Sequence, residues 1–109
     1  MEEKVKILKS LADNNRFKII EFLLKCDFCV GALSKRLNLT EAAVSQHLKV
    51  LREAGVVWGE KRGYYTHYTV NKDVLKTISD ELLKLHEIDR KNNRCRRICQ
   101  ANRKKTISQ

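Results

Sequence analysis

The chain has 109 residues, 42% of them apolar, and no proline, enough for one hydrophobic core and one domain but not for two. Its longest apolar runs are a few residues and the opening MEEKVKILKSLADNN is charged throughout, which argues against a membrane span or an export signal and leads us to expect a cytoplasmic protein. A formal net charge of +10 and an isoelectric point near 9.7 point to a polyanionic partner; yet residues 90–109 hold eight basic residues and no acid, so residues 1–89 contribute only +2.

Val5, Leu8, Leu11 and Ala12 recur at helical spacing, and Asp13, Asn14 and Asn15 then offer a stop and a new N-cap. Phe17, Ile20, Leu23 and Leu24 predict the buried stripe of a second helix ending near Lys25. Val30, Leu33 and Leu37 make a short third helix, broken by the polar NLT. Thr40 is placed to cap a fourth, where Val44, Leu48 and Leu51 fall at i, i+4 and i+7 and Gly55 follows the C-cap. Its other face presents Glu41, Ser45, Gln46, Lys49 and Arg52.

Beyond Gly55 the period changes to two: a strand over 56–61, a turn at Arg62 and Gly63, and a strand over 64–70 with Tyr64, Thr66, Tyr68 and Val70 on one face. This is a hairpin with a basic tip. Asn71 can cap a last helix carrying Leu75, Ile78, Leu82 and Leu85. A stripe so narrow on a charged helix predicts pairing with a second copy of the chain; packing back on its own domain is the alternative. The expected fold is mainly α with a small β-hairpin, in the order α-α-α-α-β-β-α, a winged helix-turn-helix over residues 1–89 followed by a basic, cysteine-containing tail over 90–109.

Such a fold reads double-stranded DNA. A helix in the major groove needs side chains that bond base edges: Gln46 can pair bidentately with adenine, and Ser45 and His47 can reach bases or phosphates. Lys35, Arg36 and Lys49 are placed for phosphates beside that groove, and Lys61 and Arg62 for the adjoining minor groove or backbone. The plainer alternative is a solvated polar face, and for His47, in register with Ala43, Val50 and Ala54, packing against the domain.

The segment TEAAVSQHLKVLREAGVVWGEKRGYYTHYTV resembles the recognition helix and wing of the ArsR/SmtB family of metal-responsive repressors, and LKSLADNNRFKIIEFLL resembles that family's first two helices. The resemblance covers roughly residues 5–88. It implies a homodimer joined through its first and last helices, which binds a twofold-symmetric operator and releases it on meeting an inducer. It assigns base reading to Ser45, Gln46 and His47 and the wing to Lys61, Arg62 and Tyr64. No enzyme is expected: a nucleophilic cysteine with His47, His67 or His86 as base would need a substrate pocket that no remaining segment can build.

Four cysteines in a cytosolic chain bind metal, react or pack more readily than they form structural disulfides. Zinc and cobalt sensors of the family carry an Asp-x-His pair and a later His/His or His/Glu pair on the last helix. Here that helix offers His86 with Glu87 and Asp89 and no second histidine, so His86 reads as a surface residue. Arsenic and cadmium sensors use thiolates at the start of the third helix, in a sequence resembling ELCVCDL. KCDFCVGAL is similar and lies at the corresponding place, with CxxC where the family has CxC: Cys26 matches a motif cysteine and Cys29 is offset.

A second pair, Cys95 and Cys99, stands at i and i+4. Four thiolates suit soft inducers, Cd(II), Zn(II) or Pb(II), and three of them suit As(III) or Sb(III). No organic cofactor is expected. Two other uses of the same cysteines stay open: a redox switch working by reversible disulfides, and a structural zinc in a constitutive DNA binder.

Overall fold

The computed structural model describes residues 2–90. In chain order it holds α1 (Glu2–Leu11), α2 (Asn14–Lys25), α3 (Val30–Leu37), α4 (Glu41–Glu53), β1 (Val57–Arg62), β2 (Tyr65–Val70) and α5 (Lys72–His86). The order is the expected one: α3 and α4 form the helix-turn-helix, and β1 and β2 form the wing.

The caps are where the sequence placed them. Asp13 Oδ2 accepts from the backbone N–H groups of Asn15 and Arg16 at 2.9 and 3.0 Å, and Thr40 Oγ1 from that of Ala43 at 3.0 Å. The Arg16 N–H bond is the largest influence on Asp13 and holds its carboxyl below the usual carboxylate value. Asn71 caps α5 through Val74 N–H and donates its amide to Gly55 O at 3.3 Å, tying the end of the wing to the end of α4. Thr40→Ala is expected to lower unfolding stability by about 1 kcal/mol, read as a shift of the urea midpoint at unchanged slope.

α4 ends in a Schellman motif: Val56 N–H reaches Leu51 O, Gly55 N–H reaches Arg52 O, both at 3.0 Å, and Gly55 takes the positive φ of 80°. The chain therefore enters the wing at Val56 with no slack.

The structure decides which apolar residues of α1 turn inward, and it departs from the expectations in α2 and at the wing turn. In α1 the inward residues are Ile7, Ser10 and Leu11, while Val5 and Leu8 stay exposed. The helix carries two apolar strips, and the Ile7/Leu11 strip meets the core. Buried Ser10 satisfies its hydroxyl within the helix, donating to Ile7 O at 2.7 Å. In α2 the buried arc centres on Ile19, Ile20 and Leu23, which leaves Phe17 and Leu24 at its edges, 56% and 44% exposed.

The wing turn lies one residue later than expected. Arg62 pairs with Tyr65, so the two-residue loop is Gly63 and Tyr64. A tight hairpin turn of this kind takes a positive φ at its first central residue, and only Gly63, at φ 62°, meets that demand without strain. Arg62 is thereby drawn into β1, and Tyr64 stands fully exposed at the tip. Trp58, 46% exposed, pairs with Thr69 across the ladder. Opposite Gly59 lies Tyr68, and a Cβ at that position would come within 2.9 Å of Thr66 Cγ2 and 3.1 Å of the Tyr68 ring, so a larger residue there would force these side chains to shift.

The core is formed by Ile19, Leu33, Val44, Leu48, Leu51 and Val56, all fully buried, with Ile20, Val57 and Val70 around them. It joins α2, α3, α4 and both strands.

Candidate DNA-reading surface and thiol loop

Burial of Val44, Leu48 and Leu51 fixes the rotation of α4, and that rotation exposes Ser45, Gln46, Lys49 and Arg52. Lys35 and Arg36 are exposed in the last turn of α3, and Lys61, Arg62 and Tyr64 at the end of the wing. Two of these cations have intramolecular company: Arg36 Cζ lies 5.4 Å from the Phe28 ring centroid, and Arg62 is 3.8 Å from Glu60. Both contacts are exposed enough to yield to a phosphate.

His47 stands apart from this group. It is half-buried, and its Nδ1 lies 3.3 Å from Arg16 Nη1. The packing alternative is thus realised for part of the ring. Arg16 also donates through Nε to Ser10 O at 2.7 Å and through Nη2 to Lys9 O at 3.4 Å. No pattern in the sequence marks Arg16, because its partners come from other helices.

The two thiols of CDFC sit on the connection between α2 and α3. Cys26 is the C-cap residue of α2, its N–H donating to Phe22 O at 3.0 Å, and is exposed. Cys29 is the N-cap residue of α3, makes no side-chain capping bond, and is half-buried. Between them Asp27 Oδ1 meets His67 Nδ1 of β2 at 3.0 Å; the His67 side chain is 13% exposed and that of Asp27 70%. A cleft of about 310 Å³ opens here, lined by Asp27, Phe28, Cys29, Ala32, Tyr65 and His67. The contact joins the thiol loop to the wing, and spacing alone does not reveal it.

Among the described residues no three His, Cys, Asp or Glu side chains converge closely enough to hold a metal ion. Cys26 and Cys29 offer two soft donors on one loop, so a complete ligand set needs donors from elsewhere. Cys95 and Cys99 lie outside the described residues. His86 closes α5 and is exposed, as expected.

On α1 and α5 the residues Val5, Leu8, Leu82 and Leu85 remain exposed, as does Ile88 just beyond α5, and Lys4 Nζ bonds Glu81 Oε2 at 2.9 Å across the two helices. That hydrogen bond, and then one from Lys84, holds the Glu81 carboxyl below its usual value. No helix among the described residues is long and apolar enough to cross a membrane.

Residues 13–58 match the family model for bacterial regulatory proteins of the arsR family. The transcriptional activator HlyU of Vibrio cholerae is 37% identical over 75% of this chain and 76% of its own length. The solved structure of reduced HlyU has a TM-score of 0.63 at 36% identity, covering 81% of this chain and 92% of that one. The arsenical resistance operon repressor of Bacillus subtilis is 33% identical over 68% of this chain and 72% of its own. A homodimeric winged helix-turn-helix DNA-binding domain from Mycobacterium bovis shares the fold, with a TM-score of 0.65 at 19% identity over 81% of this chain and 83% of that one.

Proposed function

Because this chain belongs to the bacterial arsR family of regulatory proteins, we propose that it is a transcriptional repressor that leaves its operator when a thiophilic metal or metalloid ion binds its cysteine thiolates. In this reading residues 1–89 form the DNA-binding and dimerisation domain and residues 90–109 a basic arm. Two copies join through the exposed apolar residues of α1 and α5 and meet a twofold-symmetric duplex. Ser45, Gln46 and the outer edge of His47 address base edges; Lys35, Arg36 and Lys49 address phosphates; Lys61, Arg62 and Tyr64 address the flanking groove.

The observation that carries this reading is the place of the thiols. Cys26 ends α2 and Cys29 begins α3, and Leu33 of α3 is buried in one core cluster with Val44 and Leu48 of α4. Drawing the two sulfurs onto one ion moves the support of the reading helix, and the Asp27–His67 contact carries the same displacement to the wing. Cys95 and Cys99 would supply the remaining donors, four thiolates for Cd(II), Zn(II) or Pb(II), or three for As(III) or Sb(III). A coupling free energy of about 3 kcal/mol would weaken DNA binding roughly 100-fold.

A second reading draws on two free thiols standing on one loop with no three-donor cluster among the described residues: Cys26 and Cys29 give up two electrons and two protons to an oxidant and close a reversible disulfide. Fluorescence anisotropy of the reduced protein on operator DNA, titrated in parallel with As(III), Cd(II), Zn(II) and diamide, separates the two. Release by a thiophilic ion is the expected result. Release by diamide alone, reversed by dithiothreitol, would make the thiols a redox switch, and no release by any agent would overturn both readings.

A further inference from the structure

The geometry points to Arg16 as the positioning residue of the DNA-reading helix, locking α4 to the end of α1 and fixing which hydrogen bond His47 can offer; the inference rests on the DNA-reading role proposed above. One guanidinium spans three groups on two helices. Nε holds Ser10 O at 2.7 Å and Nη2 holds Lys9 O at 3.4 Å, both in the last turn of α1, while Nη1 faces His47 Nδ1 at 3.3 Å. The backbone of Arg16 is fixed as well, its N–H held by Asp13 Oδ2 at 3.0 Å. Carbonyls at a helix end lack partners within the helix, so a planar cation placed there is well matched in charge and in direction.

The chemistry of the third contact is restrictive. A guanidinium carries only donors and stays charged, so it can bond Nδ1 only when that nitrogen presents a lone pair. The neutral His47 ring must then carry its proton on Nε2. Half-buried, with Nδ1 taken by Arg16, His47 is left with a single N–H for a phosphate oxygen or a base acceptor, next to Gln46 and two residues before Lys49 on the same helix.

The position of the clamp matters as much as its polarity. α1 carries Val5 and Leu8, two of the exposed apolar residues assigned to the dimer seam. Tying α4 to α1 therefore sets the distance between the two reading helices of a dimer, and so the separation of half-sites the protein accepts. A residue that only stabilised the fold would weaken binding to every duplex alike. Arg16 as a positioning residue instead governs discrimination among duplexes.

The test compares wild type, Arg16→Lys, His47→Ala, His47→Asn and the double variant Arg16→Lys/His47→Ala on operators whose half-sites are moved together or apart by single base pairs. Folding and dimerisation are checked by circular dichroism and sedimentation. Wild type is expected to prefer one spacing. Arg16→Lys, which cannot span all three acceptors, and His47→Ala, which removes the acceptor, should each reduce that preference by about tenfold, within the usual range of coupling between sites. The double variant should lose no more than either single one, since both cut the same link. His47→Asn, whose amide oxygen can accept from Arg16, should restore much of the preference. Should Arg16→Lys fail to fold, His47→Ala reports the link from its other end. Equal loss on every spacing, or losses that add in the double variant, would overturn the inference while leaving DNA reading intact. Wild-type indifference to both sequence and spacing would overturn the DNA-reading proposal and this inference with it.

Discussion

Exchange of Cys26 and Cys29 together for serine is expected to leave the operator affinity of the untreated protein within about twofold of wild type and to abolish release by a thiophilic ion, a loss of roughly 100-fold in response. The first half follows from what the thiols do not do. Neither belongs to the buried core, Cys26 caps α2 through its backbone alone, and Cys29 makes no side-chain bond at the start of α3. Serine is a good N-cap residue, so α3 should begin at least as well in the variant. The second half follows from donor chemistry, because a neutral hydroxyl is a poor ligand for soft ions. Anisotropy titrations with and without the ion check both halves. Release that persists in Cys26→Ser would remove this loop from the mechanism. The same titration on Cys95→Ser/Cys99→Ser decides whether the second pair shares the ion: a weaker ion affinity with release retained at saturation is the expected outcome.

Leu51→Ala is expected to lower unfolding stability by about 2–5 kcal/mol, the range for deleting a large aliphatic side chain from a packed interior. Leu51 is fully buried, on the last buried position of the reading helix, and its carbonyl receives the Val56 N–H that turns the chain into the wing. Substitution therefore empties space at the junction of helix-turn-helix and hairpin. Folded domains of this kind hold only about 5–15 kcal/mol in total, so a sizeable fraction of the variant should be unfolded well below the wild-type midpoint. Urea unfolding followed by circular dichroism gives the difference directly. A loss below about 1 kcal/mol would mean that the neighbours close over the gap.

What could be read from the sequence was mostly local. The caps at Asp13, Thr40 and Asn71 and the glycine after α4 were legible because capping depends on residues within one turn. The inward face of α4 was legible because a single apolar strip there leaves one possible rotation. α1 and α2 were harder: each carries apolar residues over more than one strip, and only the packed neighbours decide which strip is covered. Phe17 and Leu24 consequently stay exposed where the apolar stripe of α2 places them inside, and Val5 and Leu8 face outward from α1. The wing turn lies one residue beyond the expected one, because Gly63 serves as its first central residue and not its second. The Arg16–His47 contact joins residues 31 positions apart, and Asp27 meets His67 across an even longer stretch of chain, so neither has a spacing to betray it. The thiols of CDFC were legible as a pair, and their connection to the wing was not.

Trp58 is the one tryptophan in the chain, and it sits half in water on β1, in the same two-stranded ribbon whose other strand holds His67 against the thiol loop. The protein thus carries an optical probe inside the ribbon that the proposed mechanism displaces. Indole emission depends on the polarity around the ring, so burial against a duplex, or a shift of the ribbon after a change at the thiols, writes itself into the intrinsic fluorescence with no label attached. No other indole contributes to that signal.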